Sequence, residues 1–591
     1  MKKLFILFFI AYNFSFSQFQ IQNEIENYIK YLASDSLEGR KPGEIGNELA
    51  AKFIANEFQS FGLKKINNSY FQNFEYVSGV KPESETSLQI KIGSEEKTFI
   101  LDSNFRPMGF SDDVNINGKL VFVGYGISSS KINYDDYKNL NVKGKIVIAL
   151  RYSPITNDTT EKKEFKRVES LYNKARIAKE KGAIGIIFLT GPIDDEVPKL
   201  LRLRYNNDEG TQSIVAISMK WNDIDEILQS DGKNLRQIQK EINDTKTPNS
   251  FEIEDVEVSI NVKLKKIKTQ TKNVIGILEG NDIDLKNEYI VIGAHFDHLG
   301  FGGERSSSTK PESVGVHNGA DDNASGTSGM LALSKIFSET NQNKRSIIFM
   351  GFSAEEVGLL GSSYYTKNPL ISLDKTIAMI NLDMIGRLRG DSLYVYGTGT
   401  SSNFDSLVDA INSNYKFTLK KTRDGFGPSD HSSFYAKDIP VLFFFTGLHD
   451  DYHNINDDWE KINFNGEEKV LNYVYEIANS IQQNPKPIFT KVITEEKIIG
   501  DSRGNKASLG IIPSFGEEIK GAKISGTKPN SSAEIAGLKK DDIIIFFDGK
   551  EVNNLMDLTM YLGDKNPNDE VEIVVLRNNG KFAIKAKLGK R

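Results

Sequence analysis

The sequence predicts an α/β fold: a mixed, mostly parallel sheet flanked by helices, interrupted by a β-rich insertion and followed by a small C-terminal unit. Three observations carry that prediction. From about residue 254 to 485, apolar runs and helical patterns alternate, as expected where helices cover a sheet. Four of those runs, YIVIGA (289–294), SIIFMGFSA (346–354), IAMINL (377–382) and PVLFFF (440–445), are apolar enough for central strands buried on both faces. Between about 106 and 253 the texture differs, with short strands such as KLVFVGYGI and GKIVIAL set among polar turns.

Each segment follows in order. Residues 1–17 carry Lys2 and Lys3, an apolar stretch and then Ser15-Phe16-Ser17, the pattern of a secretory signal peptide cleaved after Ser17. The apolar stretch is too short to span a bilayer, which takes ~20 residues. Export to the periplasm or the medium is therefore expected, with no membrane span in the mature chain. Residues 18–105 begin with two helices. In IQNEIENYIKYLAS, Ile21, Ile25, Tyr28, Ile29 and Leu32 recur at three- and four-residue steps, and GNELAAKFIANEFQSFG follows. Between them, DSLEGRKPG reads as a turn. In 106–253 one helix, LYNKARIAKEKG, leads into the strand AIGIIFL. Residues 254–485 resume the strand–helix alternation. QQNPKPIFTK opens a linker, 486–500, and 501–591 form a last small unit that ends in a hairpin, EIVVLRNNGKFAIKAKL, with Asn-Gly at its turn.

Composition narrows the chemistry. A net charge of −6 over 591 residues gives no reason to expect nucleic acid as a partner. The chain has no cysteine, so disulfides, a thiol nucleophile and thiolate metal ligands are excluded. Any metal must be held by His, Asp and Glu. There are six histidines, and all lie between positions 295 and 453. One region needs imidazole.

Four apolar runs in that region end at candidate ligands. YIVIGA stops at His295, SIIFMGFSA at Glu355-Glu356 and IAMINL at Asp383, while PVLFFFTGLHDDY leads to His453. Ligands of open α/β sheets bind beyond the carboxyl ends of the strands. A fifth piece, NGADDNASGTSG, sets Asp321, Asp322 and Asn323 among glycines at the start of a helix. Alone it reads as a helix cap; beside four converging candidates it reads as part of a site. Adjacent carboxylates near two further aspartates repel unless a cation is present. Two histidines with three carboxylates and no thiol suit two divalent metals, zinc first, with manganese or cobalt also compatible.

The set AHFDH, GADDNASG, AEEVGLLGS, NLDM and YHNINDD resembles the M28 family of metallopeptidases, and so does the early LASDSLEGRKPG. The resemblance implies a zinc-exopeptidase type of fold over 18–105 and 254–485, with two zinc ions. It implies that His295 and Asp383 hold one ion, that Glu356 and His453 hold the other, and that Asp322 bridges both. Glu355 is then the general base acting on a metal-bridged water, Asp297 orients His295, and Tyr452 steadies the oxyanion. Physical chemistry is consistent with these roles: two metals ~3.5–4 Å apart can clamp and activate one water, and a ligating histidine commonly needs a second carboxylate behind it. His298, His317 and His431 are read as pocket wall or structural.

The other two segments have resemblances of their own. FVGYGI, YDDYKNLNVKGKIVIAL and KEKGAIGIIF resemble a protease-associated domain, here 106–253. ASLGIIP, SSAEIAGLKKDDIIIFFDGKEV and EVEIVVLRNNGK resemble a PDZ domain of the bacterial protease type. That resemblance implies that Leu509, Gly510 and Ile511 offer N–H groups to a peptide carboxylate, so protein or peptide C-termini are candidate partners.

The expectation is an exported, zinc-dependent exopeptidase that removes N-terminal residues from peptides. Its alternatives are a carboxypeptidase or dipeptidase on the same metals, for which Arg387 would be the carboxylate holder, a glutaminyl cyclase relative, and a catalytically dead peptide-binding scaffold.

Overall fold

The computed structural model describes residues 19–205, 213–302, 307–310, 313–492, 507–514 and 519–590. The segment read as a signal peptide, and residues 493–500 of the linker, lie outside the described residues. The chain divides into two compact units. One comprises Met1–Asn73, Lys272–Glu356 and Tyr364–Val492; the other comprises Phe74–Thr271, Val357–Ser363 and Ile493–Arg591.

The first unit is built on an eight-stranded sheet whose order is Phe71–Pro82, Leu264–Leu278, Ser346–Phe352, Tyr289–His295, Thr376–Leu382, Val441–Phe445, Ser392–Tyr396 and Thr418–Thr422. The four apolar runs are its four central strands. They run parallel to one another, with Tyr289–His295 between Ser346–Phe352 and Thr376–Leu382 and with Val441–Phe445 beyond. Antiparallel neighbours flank them on each side, which makes the sheet mixed.

Strand periodicity explains why these runs are apolar throughout. Ile290, Ile292 and Ala294 face one core with Ile347 and Phe349; Val291 faces the other with Ile348, Met350 and Phe352. Both faces are covered, so both sets are buried. On the first face lie Gln22–Leu32, Ile45–Ser60, Gly326–Thr340 and Phe464–Gln483, which contribute Ile25, Ile54, Leu331 and Leu471 to one core. The two N-terminal helices thus form where the apolar spacing predicts them.

In the second unit the insertion has its own eight-stranded sheet: Glu95–Phe99, Ser87–Ile92, Phe251–Asn261, Asn115–Phe122, Ile146–Leu150, Gly185–Leu189, Val215–Met219 and Phe105–Pro107. The insertion is wider than 106–253, because Ser87–Ile92 pairs with Phe251–Asn261 and carries Glu95–Phe99 at its edge. Ser87–Ile92 alternates in burial and Glu95–Phe99 is exposed up to Phe99; both precede the change of texture, so composition did not separate them from the helical start. The insertion is β-rich, with helices beside its eight-stranded sheet. Its central strands are parallel, and four helices accompany them: Thr159–Val168, Leu171–Glu180, Trp221–Ser230 and Leu235–Thr245. Parallel neighbours need a crossover, usually helical.

The C-terminal unit orders Ile511–Pro513, Ala522–Thr527, Ile543–Phe547, Glu570–Arg577 and Gly580–Lys587 in one sheet, with helices Ser532–Ala536 and Leu555–Gly563. The final hairpin pairs Arg577 with Gly580, and Asn578 and Asn579 both have positive φ. The two-residue turn is therefore Asn578-Asn579, with Gly580 already in the strand. Asparagine tolerates the left-handed region, which a mirror-image turn requires twice.

This unit packs on the insertion through Leu555–Gly563. The Tyr172 hydroxyl donates to Asp557 at 2.9 Å and accepts from the Asn554 amide at 2.6 Å. Ser213 donates to Asn553, Lys179 pairs with Glu551, and Arg167 pairs with Asp564. Met556 and Met560 pack against the insertion core that contains Phe110, Tyr172 and Ala175.

Candidate metal centre

The carboxyl ends of the central strands bring together residues far apart in sequence. His295 is the last residue of its strand, Asp383 follows Leu382, and Glu355 and Glu356 lie three and four positions past Phe352. Left-handed backbone sits beside these groups: Ala354, Met384 and His453 all have positive φ. Non-glycine residues in that region commonly mark functional turns.

Asp322 is the centre of the arrangement. Its Oδ1 lies 3.3 Å from His295 Nε2, which is 3.5 Å from Asp383 Oδ1. Its Oδ2 lies 3.2 Å from His453 Nε2, which is 3.1 Å from Glu356 Oε2. Ligands ~2.0–2.1 Å from a tetrahedral zinc sit roughly 3.3 Å apart. The five donors therefore form two sets with ligand-like spacing, joined by the two oxygens of one carboxylate. Glu355 Oε2 stands further off, 3.9 Å from His295 Nε2.

The electrostatics describe a site that wants positive charge. Burial pushes the Glu355 carboxyl up, and Asp383, Asp430 and Glu356 add repulsion against the pull of His295. Burial also raises Asp383. Burial opposes the imidazolium form of His453, but Glu356 and Asp322 overcome it and lift the ring to about 11. His295 is raised well above its usual value in the same way, chiefly by Glu355 and Asp383 against burial. Glu356 is held at about 2, because His453 and His298 outweigh burial and the repulsion of Asp322. The carboxylates around both imidazoles thus favour a positive charge between them.

Supporting groups lock the donors. Asp297 accepts the backbone N–H groups of Glu355 at 3.1 Å and Glu356 at 3.3 Å. This differs from the orienting role expected for its carboxylate: His295 Nδ1 faces the Asp297 backbone carbonyl at 3.2 Å, and the carboxylate oxygen is 3.7 Å away. Asp297 thus orients His295 through its main chain and fixes the glutamate turn through its side chain.

Asp457 accepts the N–H groups of Asp321 at 2.9 Å and Asp322 at 3.0 Å. Asn323 accepts from Gly326 and Met384, which ties the Asp322 loop to the Asp383 strand end. Arg40, fully buried, donates to the carbonyls of Leu32, Phe296, Asn318 and Gly319. Sequence reasoning missed Asp457 and Arg40 as functional groups. Their signals were the acids closing YHNINDD and the lone arginine of LASDSLEGRKPG.

The remaining candidates take the following places. Tyr452 stacks on His453 with ring centroids 3.9 Å apart, and its hydroxyl, raised by burial, feels Asp322, Glu356, Asp383 and Glu355. Arg387 binds Asp451 at 2.8 Å and Asp457 at 3.4 Å. His317 bridges Gly315 and Ser308. His431 stacks on Phe443 and is pushed down to about 3 by burial, so it is neutral. His298, read as wall or structural, instead contacts Glu356 at 2.6 Å. In the C-terminal unit, Leu509 and Gly510 carbonyls accept from Ala533 and Lys528. A trans peptide places its N–H opposite its carbonyl, so the Gly510 and Ile511 N–H groups turn away from those partners. Gly510 has φ +73, and a Cβ there would meet Ser531 at 2.3 Å.

Residues 273–478 match peptidase family M28, and residues 503–588 match the PDZ domain. Leucine aminopeptidase 2 of Arthroderma otae is 29% identical over 230 residues, which cover 37% of this chain and 40% of that protein. Aminopeptidase YwaD of Bacillus subtilis is 32% identical over 192 residues, covering 32% of this chain and 38% of that one. The chain thus spans well under half the length of these curated relatives. Among solved structures, an aminopeptidase from Aneurinibacillus sp. strain AM-1 has a TM-score of 0.48 at 21% identity, covering 80% of this chain and 96% of its own.

Proposed function

We propose that this chain, whose residues 273–478 match peptidase family M28, is an exported zinc-dependent aminopeptidase. The observation that carries the reading is the bridging geometry of Asp322, one oxygen toward His295 and Asp383, the other toward His453 and Glu356. His295, Asp383 and Asp322 would hold one ion; His453, Glu356 and Asp322 would hold the second. When bound, such a pair supplies Lewis acidity to a peptide carbonyl and makes water a nucleophile near neutral pH.

The protein's own groups do the rest. Glu355 is not needed as a donor, and its carboxylate accepts a proton from the attacking water. It then delivers that proton to the nitrogen of the breaking C–N bond, so a carboxylate and an amine leave. The Tyr452 hydroxyl donates to the oxygen that gains negative charge. Arg387 already pairs through Nη2 with Asp451 and Asp457, which counts against its holding a substrate carboxylate. The carboxylate-rich site suits a substrate ammonium group. The Leu509–Ile511 loop is proposed to take peptide C-termini, and the insertion is proposed to be a protease-associated domain. Export is supported by the pattern in residues 1–17; no helix among the described residues is long and apolar enough to cross a membrane.

A digest of one peptide with a free N-terminus, a blocked N-terminus and a blocked C-terminus tests the polarity. Stepwise release from the free N-terminus, abolished only by the N-terminal block, is expected. Cleavage that survives that block overturns the aminopeptidase reading.

A further inference from the structure

We infer that His298 is a positioning residue for Glu356, the mirror of the support that Asp297 gives on the other side; the inference rests on the two-ion reading above. The ring is buried, and its Nδ1 lies 2.6 Å from Glu356 Oε1. The other oxygen of the same carboxylate, Oε2, lies 3.1 Å from His453 Nε2. Glu356 is therefore used from both sides. One oxygen faces His453, where it would be offered to the ion, and the other is held by His298.

His298, Asp322 and Glu356 lie close enough to share an ion, but an Nδ1 that gives its proton to Oε1 has no lone pair left to ligate, and the Nδ1–Oε1 distance favours that hydrogen bond. Two donors on one zinc, each ~2.0–2.1 Å from it, would be squeezed to an angle of roughly 80° at 2.6 Å separation, well short of tetrahedral. At 2.6 Å the contact is a short, charge-assisted hydrogen bond, with the Nδ1–H donating to the carboxylate. The next oxygen, Asp322 Oδ2, is 4.0 Å from Nδ1, too far for a hydrogen bond. Nε2 has no hydrogen-bond partner among the described residues, so Nδ1–H is the contact that orients the ring.

The surroundings keep the ring in this pose. Gly319 has φ +55, and a Cβ there would stand 2.5 Å from His298 Cδ2. The glycine of NGADD thus leaves the space the imidazole fills. The His298 N–H donates to the Arg40 carbonyl at 3.3 Å, and His453 meets the ring edge-on at 5.8 Å. Glu356 in turn has its backbone fixed by Asp297. With both ends fixed, the carboxylate presents Oε2 without a rotamer search each time an ion binds.

The test is a zinc titration of the ion-stripped full chain against a competing chromophoric chelator, with thermal unfolding of each ion-free variant as the check on folding. Wild type is expected to take up two zinc ions. His298→Leu should weaken one of them by roughly 10–100-fold, the usual effect of losing a partner behind a ligand, and leave the other unchanged. His298→Asn, whose amide N–H can reach where Nδ1–H does, should restore affinity to within a few-fold of wild type. Unchanged affinities in His298→Leu overturn the inference. So does an asparagine variant as weak as leucine, which would point to ring packing, or complete loss of one ion in both, which would make His298 a ligand. If wild type itself takes up fewer than two ions, the two-ion reading fails first. Should His298→Leu not fold, nitrogen-15 spectra of wild-type histidines decide: a protonated Nδ1 on His298 that shifts in Glu356→Gln is expected, and an Nε2-protonated ring overturns the hydrogen bond.

Discussion

Glu355 and Glu356 are neighbours in sequence, yet changing each to glutamine should have opposite consequences. Glu355 sits 3.9 Å from His295, outside the 3.1–3.5 Å spacing of the donor sets. Its carboxyl is pushed up by burial and by the carboxylates around it. Glu355→Gln removes a repelling charge and leaves both donor sets whole. The ion-free protein should be no less stable, zinc content should stay at wild-type level, and KM should change little. Turnover should fall by ~10²–10⁴, the share of a general base, which corresponds to about 2.7–5.5 kcal/mol in the barrier. Glu356 is held at about 2 by His453 and His298. Glu356→Gln weakens two charge-assisted contacts worth ~1.5–3 kcal/mol each, so the ion-free protein should lose stability. One ion should then be lost, with activity partly regained in excess zinc. Ion content by mass spectrometry, kcat and KM on an aminoacyl anilide, and chemical unfolding measure all of this. Loss of metal in Glu355→Gln with full metal in Glu356→Gln would refute the assignment, and wild-type turnover in both would place the chemistry elsewhere.

Three further outcomes are expected. In the ion-free protein, His453 is raised to about 11, so its stabilising contribution is complete below the unfolded histidine value of ~6.5 and is lost as pH rises through 11; thermal unfolding of the stripped protein should move to lower temperature between pH 6.5 and 10, while added zinc removes the trend. Asp457→Ala leaves the buried N–H groups of Asp321 and Asp322 without their acceptor, at ~1–3 kcal/mol each, and should lower both unfolding free energy and zinc affinity; an unchanged denaturant midpoint would contradict it. Truncation after Pro485 removes none of the five donors, so hydrolysis of small amides should persist; light scattering should show self-association, because the insertion surface around Tyr172 loses its cover.

Much of the peptidase-like unit is legible in the sequence. Central strands buried on two faces are written as unbroken apolar runs, and their carboxyl ends carry His295, Glu355, Glu356 and Asp383 directly. The helices Gln22–Leu32 and Ile45–Ser60 are legible from spacing alone. What stays hidden has a common cause: it depends on partners distant in sequence. Asp457 acts through backbone N–H groups 135 and 136 positions away. Arg40 reaches carbonyls up to 279 positions away. His298 looks like a spare histidine until Glu356 is folded against it. The insertion boundary was missed for a similar reason, since Ser87–Ile92 earns its place by pairing with Phe251–Asn261.

The packing of Leu555–Gly563 on the insertion has a consequence in time. Tyr172 and its hydrogen-bond acceptor Asp557 are 385 positions apart. At ~5–20 residues per second, the insertion's apolar face is synthesised roughly 20–80 s before the helix that covers it. During that interval Phe110, Tyr172 and their neighbours have no native cover. A chain that is still emerging must keep this face from other chains until Leu555–Gly563 arrives. Docking of Leu555–Gly563 thus completes the insertion, and chains terminated before it should self-associate more than the full chain.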